Sequence, residues 1–150
     1  EMCIRDRIHE DAARAIGAAF VAYLKAKRIG VGRDMRLSSP SLAAAFIEGA
    51  TSQGADVIDY GQVPTDMVYY AVATDGLDGG VQVTASHNPK QYNGLKMVRQ
   101  GASALSGDEG IGDIRDMIAS GTTPPPAARR GTVTQKDVLA PYVDHVMSFI

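Results

Sequence analysis

Apolar residues recur along the chain with two alternating periods. Ile16, Phe20 and Leu24 fall every four residues, with Ala13 and Tyr23 on the same face, which predicts a helix over 9–27. The basic residues at its end, Lys25, Lys27 and Arg28, suit the negative pole of a helix dipole. The short run Ile29–Gly32 predicts a first strand that breaks into a charged loop at Arg33-Asp34. Ser38-Ser39-Pro40 reads as a hydroxyl N-cap followed by proline in the first turn, opening a helix that carries Leu42, Phe46 and Ile47 and ends near Gly54. Ala55–Tyr60 is the second predicted strand. Pro64 opens a third helix with Val68, Tyr69 and Val72 on one face. Gly80–Thr84, rich in β-branched residues, is the third strand, and Leu95–Val98 the fourth. The loop between these last two is too short for a parallel crossover, so the fourth strand is expected to run antiparallel to the third. Ile111, Ile114 and Ile118 predict a helix over 108–119. Thr122–Arg130, with three consecutive prolines, reads as a linker by composition. Leu139, Val143, Val146, Met147 and Ile150 predict a final helix within 137–150. The predicted fold is α/β: a three-layer domain with a small mixed four-stranded sheet between helices.

Composition narrows the function classes. The 150 residues are 45% hydrophobic and 21% charged, and the formal net charge is −2. This is the make-up of a folded domain, and it lacks the basic surface expected of a nucleic-acid partner. The single cysteine, Cys3, leaves no internal disulfide or multi-cysteine metal site. The longest apolar stretch, Ala18–Leu24, is far short of the ~20 residues that span a membrane. Near-neutral charge and one cysteine suit a cytoplasmic enzyme.

Two polar loops leave predicted strands, where ligands of open α/β sheets bind. One is Arg33-Asp34-Met35-Arg36. The other, Thr84-Ala85-Ser86-His87-Asn88-Pro89, sets a hydroxyl, an imidazole and an amide just beyond a buried strand. Ser86 is a candidate nucleophile or phosphoryl carrier. An ordinary Asn-Pro turn is the competing reading. A serine-hydrolase elbow is absent, because Ser86 is not set in G-x-S-x-G, and His87, as the next residue, serves Ser86 only if the loop turns sharply. Lys96 lies ten residues after Ser86, across the hairpin, where a cation stabilises a phosphoryl group; alternatively it is a solvated edge lysine. Arg33 and Asp34 are expected to form a pair that organises their loop. Gly30-Val31-Gly32 hints at a dinucleotide fingerprint, but Met35 stands where the third glycine belongs. A stand-alone phosphosugar- or nucleotide-binding module is therefore the alternative to an enzyme.

Thr84-Ala85-Ser86-His87-Asn88-Pro89, followed by Tyr92-Asn93-Gly94-Leu95-Lys96, resembles the active-site segment of the α-D-phosphohexomutases of phosphomannomutase/phosphoglucomutase type. Gly32-Arg33-Asp34-Met35-Arg36 with Leu37-Ser38-Ser39-Pro40, the loop Gly61–Thr65 and the stretch Gly131–Tyr142 resemble further family segments in the same order. The resemblance implies that Ser86 carries a phosphoryl group and passes it to a hexose phosphate. A hexose bisphosphate then turns over in the site, converting 1-phosphate to 6-phosphate or the reverse. It implies that His87, Asn88 and Thr84 line the phosphoryl site, that Lys96 stabilises charge or carries a proton, and that Arg33 and Arg36 belong to the phosphate loops. It further implies Mg²⁺, with the Ser86 phosphoryl group as one ligand and the others outside this chain. Residues 8–130 would be domain I, residues 131–150 the connection and helix toward domain II, and domains II–IV would follow on the same polypeptide, so that the piece alone is inactive. Residues 1–7 depart from the family: Asp6 stands where glycine is expected after Arg5, and the segment reads as a non-native leader. Asp75-Gly76-Leu77-Asp78 reads as a turn and not as a metal loop.

Overall fold

A computed structural model describes residues 8–107 and 109–150. The segment 1–7, expected to be a non-native leader and containing Arg5, lies outside the described residues. The elements run α1 (Glu10–Leu24), β1 (Arg28–Arg33), α2 (Ser39–Ser52), β2 (Asp56–Gln62), α3 (Thr65–Thr74), β3 (Gly79–Val83), β4 (Leu95–Arg99), β5 (Ser103–Ala104), α4 (Ile111–Ala119), β6 (Val133–Gln135) and α5 (Leu139–Met147). They build one mixed sheet in the order β5-β4-β3-β1-β2-β6. β1 is parallel to both β2 and β3, β4 is antiparallel to β3, and β6 is parallel to β2.

The predicted architecture and the antiparallel β4 are present, but the sheet has six strands and not four. β5 and β6 are two and three residues long and fully exposed, so no alternation of apolar and polar residues marks them. Their pairing partners define them: β5 closes on β4 after a tight turn at Gly101, and β6 lies along β2. α1 ends at Leu24, three residues earlier than its periodicity suggests. Lys25 adopts the left-handed conformation at φ 51°, and its N–H bonds back to Ala22 O, which turns the chain toward β1.

The proline-rich segment is not a free linker. Gln53 Nε2 donates to Pro124 O, Ala127 N to Ser52 O, and Gly131 N to Thr51 O. The last turn of α2 has carbonyls with no partner inside the helix, and this segment satisfies two of them.

One face of the sheet packs on α1, α2 and α4 around Phe20, Phe46, Ile29, Val31, Leu42 and Ile114, all at most 1% exposed. The other face packs on α3 through Val68, Val72, Tyr60 and Leu77. α1 and α2 cross at glycines: a Cβ on Gly49 would lie 1.9 Å from Arg14 O, and one on Gly17 2.2 Å from Phe46 O. The close crossing pins α2, whose N-terminus follows the Asp34 loop. On the α3 face, buried Gln82 reaches over Gly32 and donates from Nε2 to Val63 O at 2.7 Å, tying the β2–α3 loop to the central strand.

Asp75 and Asp78 are structural. Asp75 accepts from Tyr60 Oη and Lys136 Nζ, and Asp78 accepts the backbone N–H groups of Lys27 and Arg28. Among the described residues no helix is long and apolar enough to cross a membrane.

Candidate active site

Sheet order decides which loops meet. β1 and β3 are neighbours although β2 separates them in sequence, so the loop after β1 (34–38) and the loop after β3 (84–94) lie side by side at the carboxyl ends of parallel strands. A cleft of ≈ 860 Å³ opens between them, lined by Asp34, Met35, Arg36, Thr84, Ser86 and Lys90 among others. Met35 and Leu37 are exposed at its rim.

Ser86 sits at φ 54°, in the left-handed region that a residue with a Cβ seldom occupies. This is the sharp turn that His87 needed. It sets Ser86 Oγ 3.3 Å from His87 Nδ1, while Lys96 Nζ, from β4, lies 3.5 Å from the same oxygen. Lys96 gets there through register: it stands opposite Gln82, the penultimate residue of β3, in the β3–β4 ladder. The hydroxyl therefore lies between an imidazole and an ammonium group at the edge of an open cleft.

Asp34 organises the floor. Its Oδ1 accepts from Arg36 N at 3.0 Å and from the Ser39 hydroxyl, and its Oδ2 accepts from Arg36 Nε at 3.0 Å and Thr84 Oγ1 at 2.8 Å. Burial alone would raise this carboxyl; the hydrogen bonds from Ser39, the Arg36 amide, Thr84 and the Arg36 guanidinium outweigh it and hold the group below its usual value. Thr84 Oγ1 also accepts the Ser86 N–H at 3.0 Å, so one hydroxyl links the carboxylate to the serine backbone. Asn93 closes the base of the loop, donating from Nδ2 to the hydroxyls of Ser38 and Ser39 and accepting the Gly94 N–H. Asn88 Nδ2 donates to Ala85 O.

Two expectations change. The partner of Asp34 is Arg36 and not Arg33, whose Nη1 instead reaches Gln62 Oε1 at 3.4 Å. The cause is the turn itself: Asp34 accepts the amide of residue i+2, a turn that brings the Arg36 side chain back over the carboxylate. Ser38 stands at the start of α2 but gives no side-chain cap, because its oxygen accepts from Asn93. Sequence reasoning missed Ser39 and Asn93 as parts of the site. Both lie inside the family-like segments 37–40 and 92–96, but nothing in the sequence singled them out there from their polar neighbours.

The described residues do not make a Mg²⁺ site by themselves. They hold no group of three or more His, Cys, Asp or Glu side chains placed for a metal, and the one carboxylate near Ser86 has both oxygens committed to four donors.

An α/β/α domain with a serine on a left-handed turn at the mouth of an open cleft is the class that fold and site define. The family profile described as "Phosphoglucomutase/phosphomannomutase, alpha/beta/alpha domain I" matches residues 3–124, and the chain belongs to that family. It is 45% identical over 146 residues to a phosphomannomutase of Escherichia coli, covering 97% of this chain and 32% of that protein. A phosphomannomutase sequence from Klebsiella pneumoniae is 46% identical over 140 residues, covering 93% of this chain and 89% of that sequence. A crystal structure of a phosphoglucomutase/phosphomannomutase family protein from Burkholderia thailandensis superimposes with a TM-score of 0.86 at 34% identity, covering 99% of this chain and 34% of that one. The chain thus spans about a third of the length of several of the relatives it matches.

Proposed function

We propose that the chain is the serine-bearing domain of a phosphohexomutase that interconverts hexose 1-phosphate and hexose 6-phosphate, with mannose or glucose as the sugar. The observation that carries this reading is Ser86 Oγ, aimed into the cleft with His87 Nδ1 and Lys96 Nζ within 3.5 Å. In the forward step the Oγ–P bond of a phosphoserine breaks and a bond forms from phosphorus to a sugar hydroxyl oxygen. The hydroxyl proton leaves as Ser86 Oγ regains one, and the product is a hexose bisphosphate. In the return step the sugar O–P bond of the other phosphoryl group breaks, Ser86 Oγ takes that group, and the proton Oγ gives up ends on the freed sugar oxygen. Lys96 places a positive charge where the transferring group gathers negative charge, and His87 orients the hydroxyl. Thr84 and Asn88 shape the loop. A phosphoryl group on Ser86 would be one ligand of Mg²⁺, which would neutralise charge on the transferring group, and the remaining ligands would come from outside the described residues.

Several relatives are about three times longer, so sugar recognition and metal ligation are assigned to further domains of the same polypeptide. The 150-residue chain alone is expected to show no turnover. The test is mass spectrometry of the complete protein. A phosphate on the peptide containing Ser86, together with loss of mutase activity in Ser86→Ala, supports the reading. Full activity in Ser86→Ala, with no phosphoserine in the unsubstituted protein, sinks it.

A further inference from the structure

Arg36 does something in this structure that neither family membership nor the sequence assigns to it. A guanidinium has five N–H donors in a rigid plane, and here all five are engaged. Nε donates to Asp34 Oδ2 at 3.0 Å. Nη1 donates to Pro89 O at 2.9 Å and Tyr92 O at 3.1 Å. Nη2 donates to Ser86 O at 2.9 Å and Asn88 O at 2.8 Å. Four carbonyls spread over residues 86–92 thus converge on one side chain, which is only 11% exposed.

We infer that Arg36 is a positioning residue that holds Ser86 in its left-handed, cleft-facing conformation, and that it does not bind a substrate phosphate. The geometry supplies both halves of the claim. A phosphate oxygen needs an N–H donor, and every donor of Arg36 already has a backbone or carboxylate acceptor. At the same time the two peptide groups flanking Ser86 Cα are fixed from opposite sides: its N–H by Thr84 Oγ1 and its C=O by Arg36 Nη2. Thr84 and Arg36 are in turn held by the same carboxylate, Asp34. The backbone of the serine is closed in a ring of side chains, so its φ of 54° is imposed by tertiary contacts. A lysine cannot replace this device, because three donors on a tetrahedral head cannot reach five acceptors in one plane.

The catalytic half of this inference rests on the proposed phosphoryl transfer; the structural half does not. Three measurements separate them. In the 150-residue chain, NMR at low temperature should resolve separate, slowly exchanging Arg36 Nη protons that do not move on addition of inorganic phosphate. A single averaged signal, or one that shifts with phosphate, overturns the inference without touching the phosphoserine reading. In Arg36→Lys, backbone order measured by ¹⁵N relaxation should fall over residues 86–92 and stay unchanged in the strands. In the complete enzyme the same variant should lose about 100-fold in kcat, the scale of a roughly 1 Å misplacement, with KM within about threefold. A rise in KM of about tenfold or more with kcat intact marks a substrate contact and overturns the inference. A complete enzyme without phosphoserine defeats the functional reading alone, and the proton and relaxation measurements still decide the role of Arg36.

Discussion

Asp34→Asn isolates the carboxylate on which both loops converge. The side chain accepts four hydrogen bonds, two on each oxygen. An amide has one oxygen, so its NH₂ must face one of these pairs. The hydroxyls of Ser39 and Thr84 can turn and accept from it. The N–H donors of Arg36 cannot, so in either amide orientation one of them loses its acceptor, and the guanidinium loses its counter-charge. A hydrogen bond to a charged group contributes about 1.5–3 kcal/mol. Removing one partner of a buried pair costs about 3–5 kcal/mol. The pair is mostly but not wholly shielded, at 11% and 21% exposure, so we expect a loss of about 2–4 kcal/mol, which corresponds to a fall of roughly 5–15 °C in Tm for a domain of this size. Urea denaturation followed by far-UV circular dichroism measures it, with an unchanged m-value showing that the transition is the same. The pH dependence adds a second reading. The folded carboxyl is held below its ordinary value of 3.8, so its contribution is complete above about pH 5 and disappears as pH falls through 3.8 toward the folded value. The gap between the two proteins should therefore narrow on acidification. A gap below about 0.5 kcal/mol at neutral pH, the range of ordinary surface changes, or a gap that widens toward low pH, refutes the assignment of Asp34 as the hub.

Three further outcomes follow from the same contacts. Thr84→Val removes the acceptor of the Ser86 N–H and a donor to Asp34 and should cost about 1–3 kcal/mol, whereas Thr84→Ser keeps both bonds and should stay near the wild type; parallel urea titrations compare them. Gly49→Ala drives a methyl group into Arg14 O at the α1–α2 crossing and should cost about 3 kcal/mol, the upper range for overpacking, read as a lowered denaturation midpoint. Tyr60→Phe leaves Asp75 with Lys136 alone and should cost about 1 kcal/mol by the net worth of one hydrogen bond, measured as a shift in Tm.

The four longer strands and helices α1 to α4 were legible because each buries a face, and burial imposes a period on the sequence; α5 carries the same period although its apolar residues Leu139, Val143, Val146 and Met147 are exposed. Lys96 was legible as a neighbour of Ser86 because a hairpin fixes its register locally. Arg36 as the centre of the loop was not. Four of its five acceptors lie fifty or more residues away, and they come within reach only because β3 crosses over β1 to its far side instead of pairing with β2. Sheet order of that kind leaves no local trace. β6 escaped notice for a related reason: three exposed residues, Val133-Thr134-Gln135, carry no pattern, and their strand character comes from the free edge of β2.

The left-handed backbone at Ser86 also bears on how the chain can change over generations. At φ 54° a residue with a Cβ costs roughly 1–2 kcal/mol relative to glycine. Selection for stability alone therefore pulls position 86 toward glycine, and the phosphoryl transfer proposed for Ser86 would oppose it. A homologue released from phosphoryl chemistry would drift to glycine there and become more stable, with its Asp34–Arg36 ring intact. If the proposed phosphoryl transfer holds, the residue at this one position records whether a lineage still uses the site.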